Sequence, residues 1–166
     1  IDITHHLVTT NKLVIYFTEK RLLRKMDTIT KDLESANDYD KIKGVYTWLG
    51  SKHYTDGLKT RKDGTAWSAL LDNETVCAGY AAASQLLFQR LGIKSTVVTG
   101  NTTGPHAWNF VFYDDGYYWY DATVGGSYGK DSPYFYNGFL FKNTSKYTVD
   151  IFDDEYFYWG VDHLES

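Results

Sequence analysis

The chain has 166 residues, 43% of them hydrophobic, and a formal charge of -4 from 21 acidic and 17 basic residues scattered along it. That length suits one compact core over residues 1–166, and the lack of a basic stripe excludes a nucleic-acid footprint. No run of about 18 apolar residues occurs, and no charged start precedes an apolar stretch, so neither membrane insertion nor a signal peptide is expected.

Residues 1–10 are weakly patterned around His5-His6. Leu13-Val14-Ile15-Tyr16-Phe17 is a short apolar run rich in β-branched and aromatic residues, and it predicts a buried strand. Leu22, Met26, Ile29 and Leu33 then recur at helical intervals in a charged segment without Gly or Pro, which predicts an amphipathic helix. Asn37 or Asp38 is placed to cap a second helix, whose stripe is Tyr39, Ile42, Val45, Tyr46 and Leu49 and whose end lies near Gly50. Residues 53–72 are polar and turn-rich until Trp67-Ser68-Ala69-Leu70-Leu71 adds an apolar turn. Residues 78–91 are strong helix formers apart from Gly79, with Ala78, Ala82, Leu86, Leu87 and Leu91 facing inward and Gly92 placed to end the helix. Small residues on its first two turns suit a central, buried helix.

After Gly92 the pattern alternates. Residues 95–99 predict a strand, and 106–113 with 117–123 predict a hairpin around Asp114-Asp115-Gly116. Residues 133–142 and 147–151 predict two more strands, and the acidic, aromatic tail from 152 has no clear period. Helices first and antiparallel strands afterwards make an α+β fold, with the helices packed on one sheet.

Chemistry concentrates in three stretches. Cys77, within Thr75-Val76-Cys77-Ala78-Gly79-Tyr80-Ala81, is the one cysteine of the chain, so it forms neither an internal disulfide nor a cysteine-rich zinc cluster. A free cysteine is most often a packing residue, but a helix N-terminus and a neighbouring imidazolium both lower a thiol's pKa and make it a nucleophile. His106 opens a strand with Trp108, Phe110 and Phe112 on its face and Ala107, Asn109 and Val111 on the other. Asp121 follows Tyr117-Tyr118-Trp119-Tyr120, an apolar setting where a carboxylate is costly unless something donates to it. An imidazole meets that need.

Hairpin register decides whether these two side chains meet. A tight Asp115-Gly116 turn sets Asp121 opposite Phe110, too far from His106 for contact. A four-residue connection from Tyr113 to Gly116 sets Asp121 opposite Trp108, diagonal to His106. A three-residue loop puts the two on opposite faces unless a bulge intervenes. The expectation is the four-residue or bulged version.

Val76-Cys77-Ala78-Gly79-Tyr80-Ala81, Leu91-Gly92-Ile93 with Val97-Val98-Thr99-Gly100, His106-Ala107-Trp108-Asn109 and Trp119-Tyr120-Asp121-Ala122-Thr123 resemble the core of the transglutaminase-like superfamily, in the family's order and with similar spacing. Trp48-Leu49 and His53-Tyr54 extend the resemblance upstream, so that it covers roughly residues 38–125. It implies a papain-like core whose central helix bears the cysteine and packs on an antiparallel sheet, with extra helices at the N-terminal side. It further implies a Cys77, His106, Asp121 triad, with Cys77 as nucleophile, His106 as base and then acid, and Asp121 orienting His106. The Cys77 amide would contribute to an oxyanion hole. Trp67, ten residues before Cys77, is a candidate second donor whose plainer role is that of a core aromatic, and Trp108 is a candidate wall of the acyl groove. Asn109 reads as structural.

The expected reaction is attack of a thiolate on a carboxamide or peptide carbonyl and resolution of a thioester by an amine or by water. Protein or peptide substrates are expected, with an amine co-substrate if the enzyme is a transglutaminase and none if it is a protease or amidase. No cofactor is expected: the acidic pairs Asp114-Asp115 and Asp153-Asp154-Glu155 do not follow a calcium-loop pattern, and a zinc site at Cys77, His106 and Asp121 is the weaker reading. A non-catalytic surface-binding module that keeps the fold is the alternative from another class. The start at Ile1 implies a trimmed leader, tag or larger parent, and the Tyr, Lys and Asn usage points to a secreted or wall-associated bacterial protein.

Overall fold

The computed structural model describes residues 12–57, 64–142 and 145–152. His5-His6, Asp153-Asp154-Glu155 and most of the aromatic tail lie outside the described residues. The elements run α1 (Lys12–Thr30), α2 (Asp38–Gly50), β1 (His53–Tyr54), α3 (Ala66–Leu71), β2 (Glu74–Thr75), α4 (Cys77–Arg90), β3 (Ser95–Asn101), β4 (Pro105–Tyr113), β5 (Gly116–Tyr120), α5 (Ala122–Tyr128) and β6 (Thr148–Phe152). The α+β expectation holds.

Helix α1 corrects the first predicted strand, because the backbone of residues 13–17 is already helical. A short apolar run does not distinguish a strand from a helical turn, and here the backbone runs without a break into the helix that buries Leu22, Met26 and Ile29. Asn37 caps α2 by accepting the Asp40 N–H at 2.8 Å, and Ile42, Val45, Tyr46 and Leu49 are buried while Tyr39 is exposed. Gly92, at φ 72°, carries the left-handed turn after α4.

The sheet has strand order β5-β4-β3-β6, with each neighbouring pair antiparallel. Helix α4 crosses its inner face, where polar side chains tie helix to sheet. Asn109 donates to the Ala81 carbonyl at 3.0 Å, and Gln85 and Ser95 bond to each other's polar groups at 2.9–3.0 Å. Asn109 is thus structural, as its side of the strand implied. Tyr46, Leu87, Phe88, Val111 and Tyr120 belong to the main core on this face, whereas Val98, Trp108 and Trp119 centre a second, aromatic cluster.

The hairpin has the register that sets Tyr113 against Gly116 and Phe110 against Trp119. Continued two residues further, past Asn109 against Tyr120, it places Asp121 beside Trp108, as expected, but the connection is tighter. Asp114 and Asp115 alone form the turn, at φ 50° and 58°, a left-handed pair of the kind Asp tolerates better than most residues. Ring packing repays that backbone: Phe110 stacks on Tyr117 at 5.1 Å and meets Trp119 at 5.4 Å.

Two further expectations are corrected. Strand β5 ends at Tyr120 rather than 123, because Asp121 caps α5, its side chain accepting the Thr123 N–H. Residues 133–142 are not a strand. They hold a 3-10 helix, Phe135–Gly138, and one bridge from Phe141 to Trp119, since Asn137-Gly138 and the preceding Ser132-Pro133 favour turns. This segment braces the site: the Asp121 N–H donates to the Gly138 carbonyl at 2.7 Å. A Cβ on Gly138 would lie 2.2 Å from the Asp121 carbonyl oxygen and 2.8 Å from Val124 Cβ. Gly138→Ala is therefore expected to cost about 1–3 kcal/mol of stability, read by urea denaturation.

Candidate active site

Cys77 is the first residue of α4, and the preceding Val76 has no side-chain acceptor to cap the helix. The Gly79 N–H turns back to the Val76 carbonyl at 3.0 Å, which leaves the Ala78 N–H to act on the thiol. The parallel pairing of His53 with Glu74 and Tyr54 with Thr75 brings Tyr54 alongside this entry to the helix. Behind it, the Ser68 and Thr75 hydroxyls bond at 2.6 Å and hold the loop.

His106 is the second residue of β4, at the end of the sheet where β4 begins and β5 finishes. Its Nε2 lies 2.7 Å from Asp121 Oδ2, with the carboxylate 2% exposed. Cys77 lies beside the same ring, close enough for thiol and imidazole to shift each other's ionisation, and with Nε2 engaged by Asp121 the Nδ1 side is the one left for the thiol. The structure thus brings Cys77, His106 and Asp121 into one chain of contacts.

The electrostatics follow from burial opposed by hydrogen bonding. Burial alone would raise the Cys77 thiol, but the bonds from His106 and from the Ala107 and Ala78 backbone amides outweigh it, and the thiol falls below its ordinary value. Burial likewise disfavours an imidazolium. Asp121 and Cys77 overcome that and hold His106 up at about 9. Both shifts favour the thiolate-imidazolium pair.

Asp121 accepts more than the imidazole. Tyr147 donates to the same Oδ2 at 2.9 Å, and the Thr123 N–H donates to Oδ1 at 3.2 Å. Tyr147 was not legible as a site residue, since no spacing links it to the three motifs, and its place depends on where the chain returns to the sheet. The Asx cap at Thr123 was readable in Asp121-Ala122-Thr123 had α5 been recognised.

Trp67 takes the plainer of its two expected roles, and Trp108 does not wall a groove. Trp67 turns toward α1, with the Arg21 guanidinium 5.3 Å above its ring, and packs against the core. Its indole N–H is buried with no hydrogen-bond partner among the described residues. Trp108 is 1% exposed and stacks on the His106 ring at 5.8 Å, so it supports the imidazole from below rather than walling a groove. Neither lines the cavity of about 250 Å³ beside His106 and Asp121, which is bordered by Tyr54, Thr102, Thr103, Tyr128, Lys146 and Tyr147 among others. Among the described residues no group of three or more His, Cys, Asp or Glu is arranged to hold a metal ion, and no helix is long and apolar enough to cross a membrane.

Because folding raises the proton affinity of His106, its contribution to stability is present below the ordinary imidazole value of 6.5 and is lost as pH rises through about 9. The thiol titrates in the opposite sense, so the check uses a Cys77→Ala background. There, His106→Gln is expected to cost more stability at pH 6 than at pH 10 in urea denaturation, and equal costs at both would refute the ionised His106–Asp121 pair.

The sequence profile of the transglutaminase-like superfamily matches residues 27–123. No curated protein matches the chain by sequence. Among solved structures, the crystal structure of a TGase superposes with a TM-score of 0.57 at 17% identity, over 87% of this chain and 40% of that one. A protein from Cytophaga hutchinsonii assigned as a cysteine protease superposes with a TM-score of 0.52 at 19% identity, over 70% of this chain and 44% of that one. The chain therefore spans less than half the length of either structure, and at these identities the likeness is one of fold.

Proposed function

Because the chain belongs to the transglutaminase-like superfamily, we propose that Cys77, His106 and Asp121 form the working site of a thiol-dependent acyl transferase acting on protein or peptide amides. The observation that carries this reading is the continuous contact from the lowered Cys77 thiol through His106 to the buried Asp121 carboxylate, 2.7 Å from Nε2. In a packing cysteine none of these partners is needed.

The Cys77 thiolate attacks the carbonyl carbon of a glutamine carboxamide or peptide bond, forming the C–S bond while the carbonyl electron pair moves to oxygen. The Cys77 N–H, at the helix start, would contribute to holding that oxyanion. As the electron pair returns and the C–N bond breaks, His106 gives its Nδ1 proton to the nitrogen, which leaves as ammonia or an amine. A second nucleophile then loses a proton to Nδ1 as it attacks the thioester, and the C–S bond breaks to restore the thiolate. Throughout, Asp121 keeps the Nε2–H aimed at itself and stabilises the imidazolium.

The acceptor distinguishes two readings. A primary amine makes the protein a transglutaminase. Water makes it a protease or amidase, and the hydroxyl-rich lining of the cavity beside His106, with Tyr54, Thr102, Thr103, Thr123, Ser127 and Tyr128, favours water near the base that would activate it.

Iodoacetamide is expected to alkylate Cys77 rapidly at or below pH 7, and at least about 10-fold more slowly in His106→Ala. Slow labelling with an ordinary thiol pH profile would sink the enzyme reading. With a glutamine-containing protein and a fluorescent primary amine, amine incorporation identifies a transglutaminase, ammonia alone a deamidase and new peptide termini a protease. Cys77→Ala is expected to abolish every one of these signals, and Asp121→Asn to lower the rate roughly 10²- to 10⁴-fold. Chelator is expected to leave the rate unchanged, and loss of activity restored by calcium would refute a metal-free reaction.

A further inference from the structure

We propose that Tyr147 is a positioning residue of this site: its hydroxyl shares the carboxylate oxygen that holds His106, and so limits how tightly the imidazole keeps its proton. The inference rests on the triad reading above and adds to it a fourth side chain.

Two donors meet on one oxygen. Asp121 Oδ2 is 2.7 Å from His106 Nε2 and 2.9 Å from the Tyr147 hydroxyl, while Oδ1 is occupied by the Thr123 N–H. Each donor draws on the same negative charge, so the Tyr147 bond weakens the hold of Asp121 on the imidazolium. For acyl transfer this is useful. His106 must give up Nδ1–H to a leaving amine, and an imidazolium held too tightly is a poor acid.

The position of Tyr147 is built, not incidental. It directly precedes β6, which pairs with β3 through Asn101 and Thr148. Across the sheet, Gly100 stands opposite His106. A Cβ at Gly100 would lie 2.0 Å from the Thr148 carbonyl oxygen and 2.9 Å from the Trp108 ring, so only a residue without a side chain lets the start of β6 approach this closely. The Tyr147 ring then lies edge-on to Trp108 at 5.2 Å and tilted against Phe141 at 5.1 Å. Held on two sides, its hydroxyl reaches Asp121. Among the described residues, the other titratable groups acting on the pair are Cys77 on α4, Tyr46 on α2, Tyr54 on β1 and Tyr120 at the end of β5, with Lys146 at the cavity edge. All of them remain when only the Tyr147 hydroxyl is removed.

The test is the NMR titration of His106, assigned among the five histidines by its absence in His106→Gln. Tyr147→Phe keeps the ring and removes the donor, and the His106 midpoint is expected to rise by about 0.5–1 pH unit. On an Asp121→Asn background the same substitution is expected to shift the midpoint little, because Tyr147 acts through the carboxylate. An unchanged or lowered midpoint in folded Tyr147→Phe overturns the proposal, as does an equal shift with and without Asp121. The readout is separate from catalysis. If Cys77 proves unreactive while this coupling is found, the acyl-transfer reading fails and the Tyr147–Asp121 linkage stands; if Cys77 is reactive and the coupling is absent, the reverse holds.

Discussion

A carboxylate 2% exposed keeps its charge only where donors replace the water it has lost, and Asp121 has three: the His106 imidazole, the Tyr147 hydroxyl and the Thr123 N–H. Each donor comes from a different piece of the fold, namely the start of β4, the approach to β6 and the first turn of α5. The site therefore depends on long-range closure rather than on local sequence. Slipping the hairpin by two residues would leave Asp121 opposite Phe110, buried among rings and short of its charged partner. An unpaired buried carboxylate costs about 3–5 kcal/mol, enough to offset the left-handed backbone at Asp114 and Asp115. The stacked rings of β4 and β5 add to the same choice of register.

The same competition between burial and hydrogen bonding sets the thiol. Sheltering Cys77 at the mouth of α4 works against ionisation, yet shelter is what makes the contacts from His106 and the backbone amides strong. The helix contributes by having no side-chain cap, which leaves the Ala78 amide of its first turn to act on the sulfur. A small residue at Ala81, one turn before Gln85 on the face of α4 that meets the sheet, lets Asn109 come close enough to bond the helix backbone. Thiol and imidazole are thus fixed relative to one another by the polar ties of a central helix, not by their own bond alone.

Much of this was legible in the residues. The helical run ending at Gly92, the alternation after it and the need of Asp121 for a donor were all local patterns with a physical meaning, and they carried the α+β architecture and the three side chains that meet. What the pattern missed required tertiary knowledge. Residues 13–17 suit a strand and a buried helical turn equally, and continuity with α1 decides. The end of β5 turns on one side chain, since Asp121 looks like the last residue of a strand until its bond to Thr123 marks it as a cap. Tyr147 carries no motif and is brought to Asp121 only because β6 pairs beside Gly100. For Trp67, sequence distance from Cys77 left an oxyanion donor and a core aromatic both open, since the face of a short helix cannot be read from distance; α3 presents this ring to Arg21 and the core.

The aromatic richness of the chain also takes on a different meaning in three dimensions. The rings around His106 do not form an open groove; Trp108, Trp119, Phe141 and Tyr147 make a second core on the sheet face away from α4. A mobile imidazole would lose its alignment with each proton transfer, whereas one stacked on Trp108 and bonded at Nε2 has little freedom except to exchange its Nδ1 proton. The open volume lies instead on the other side of the His106–Asp121 pair, among hydroxyls and one lysine. Apolar support and polar access are therefore divided between the two sides of one histidine. That division holds the imidazole rigidly from the core side and leaves its cavity side open.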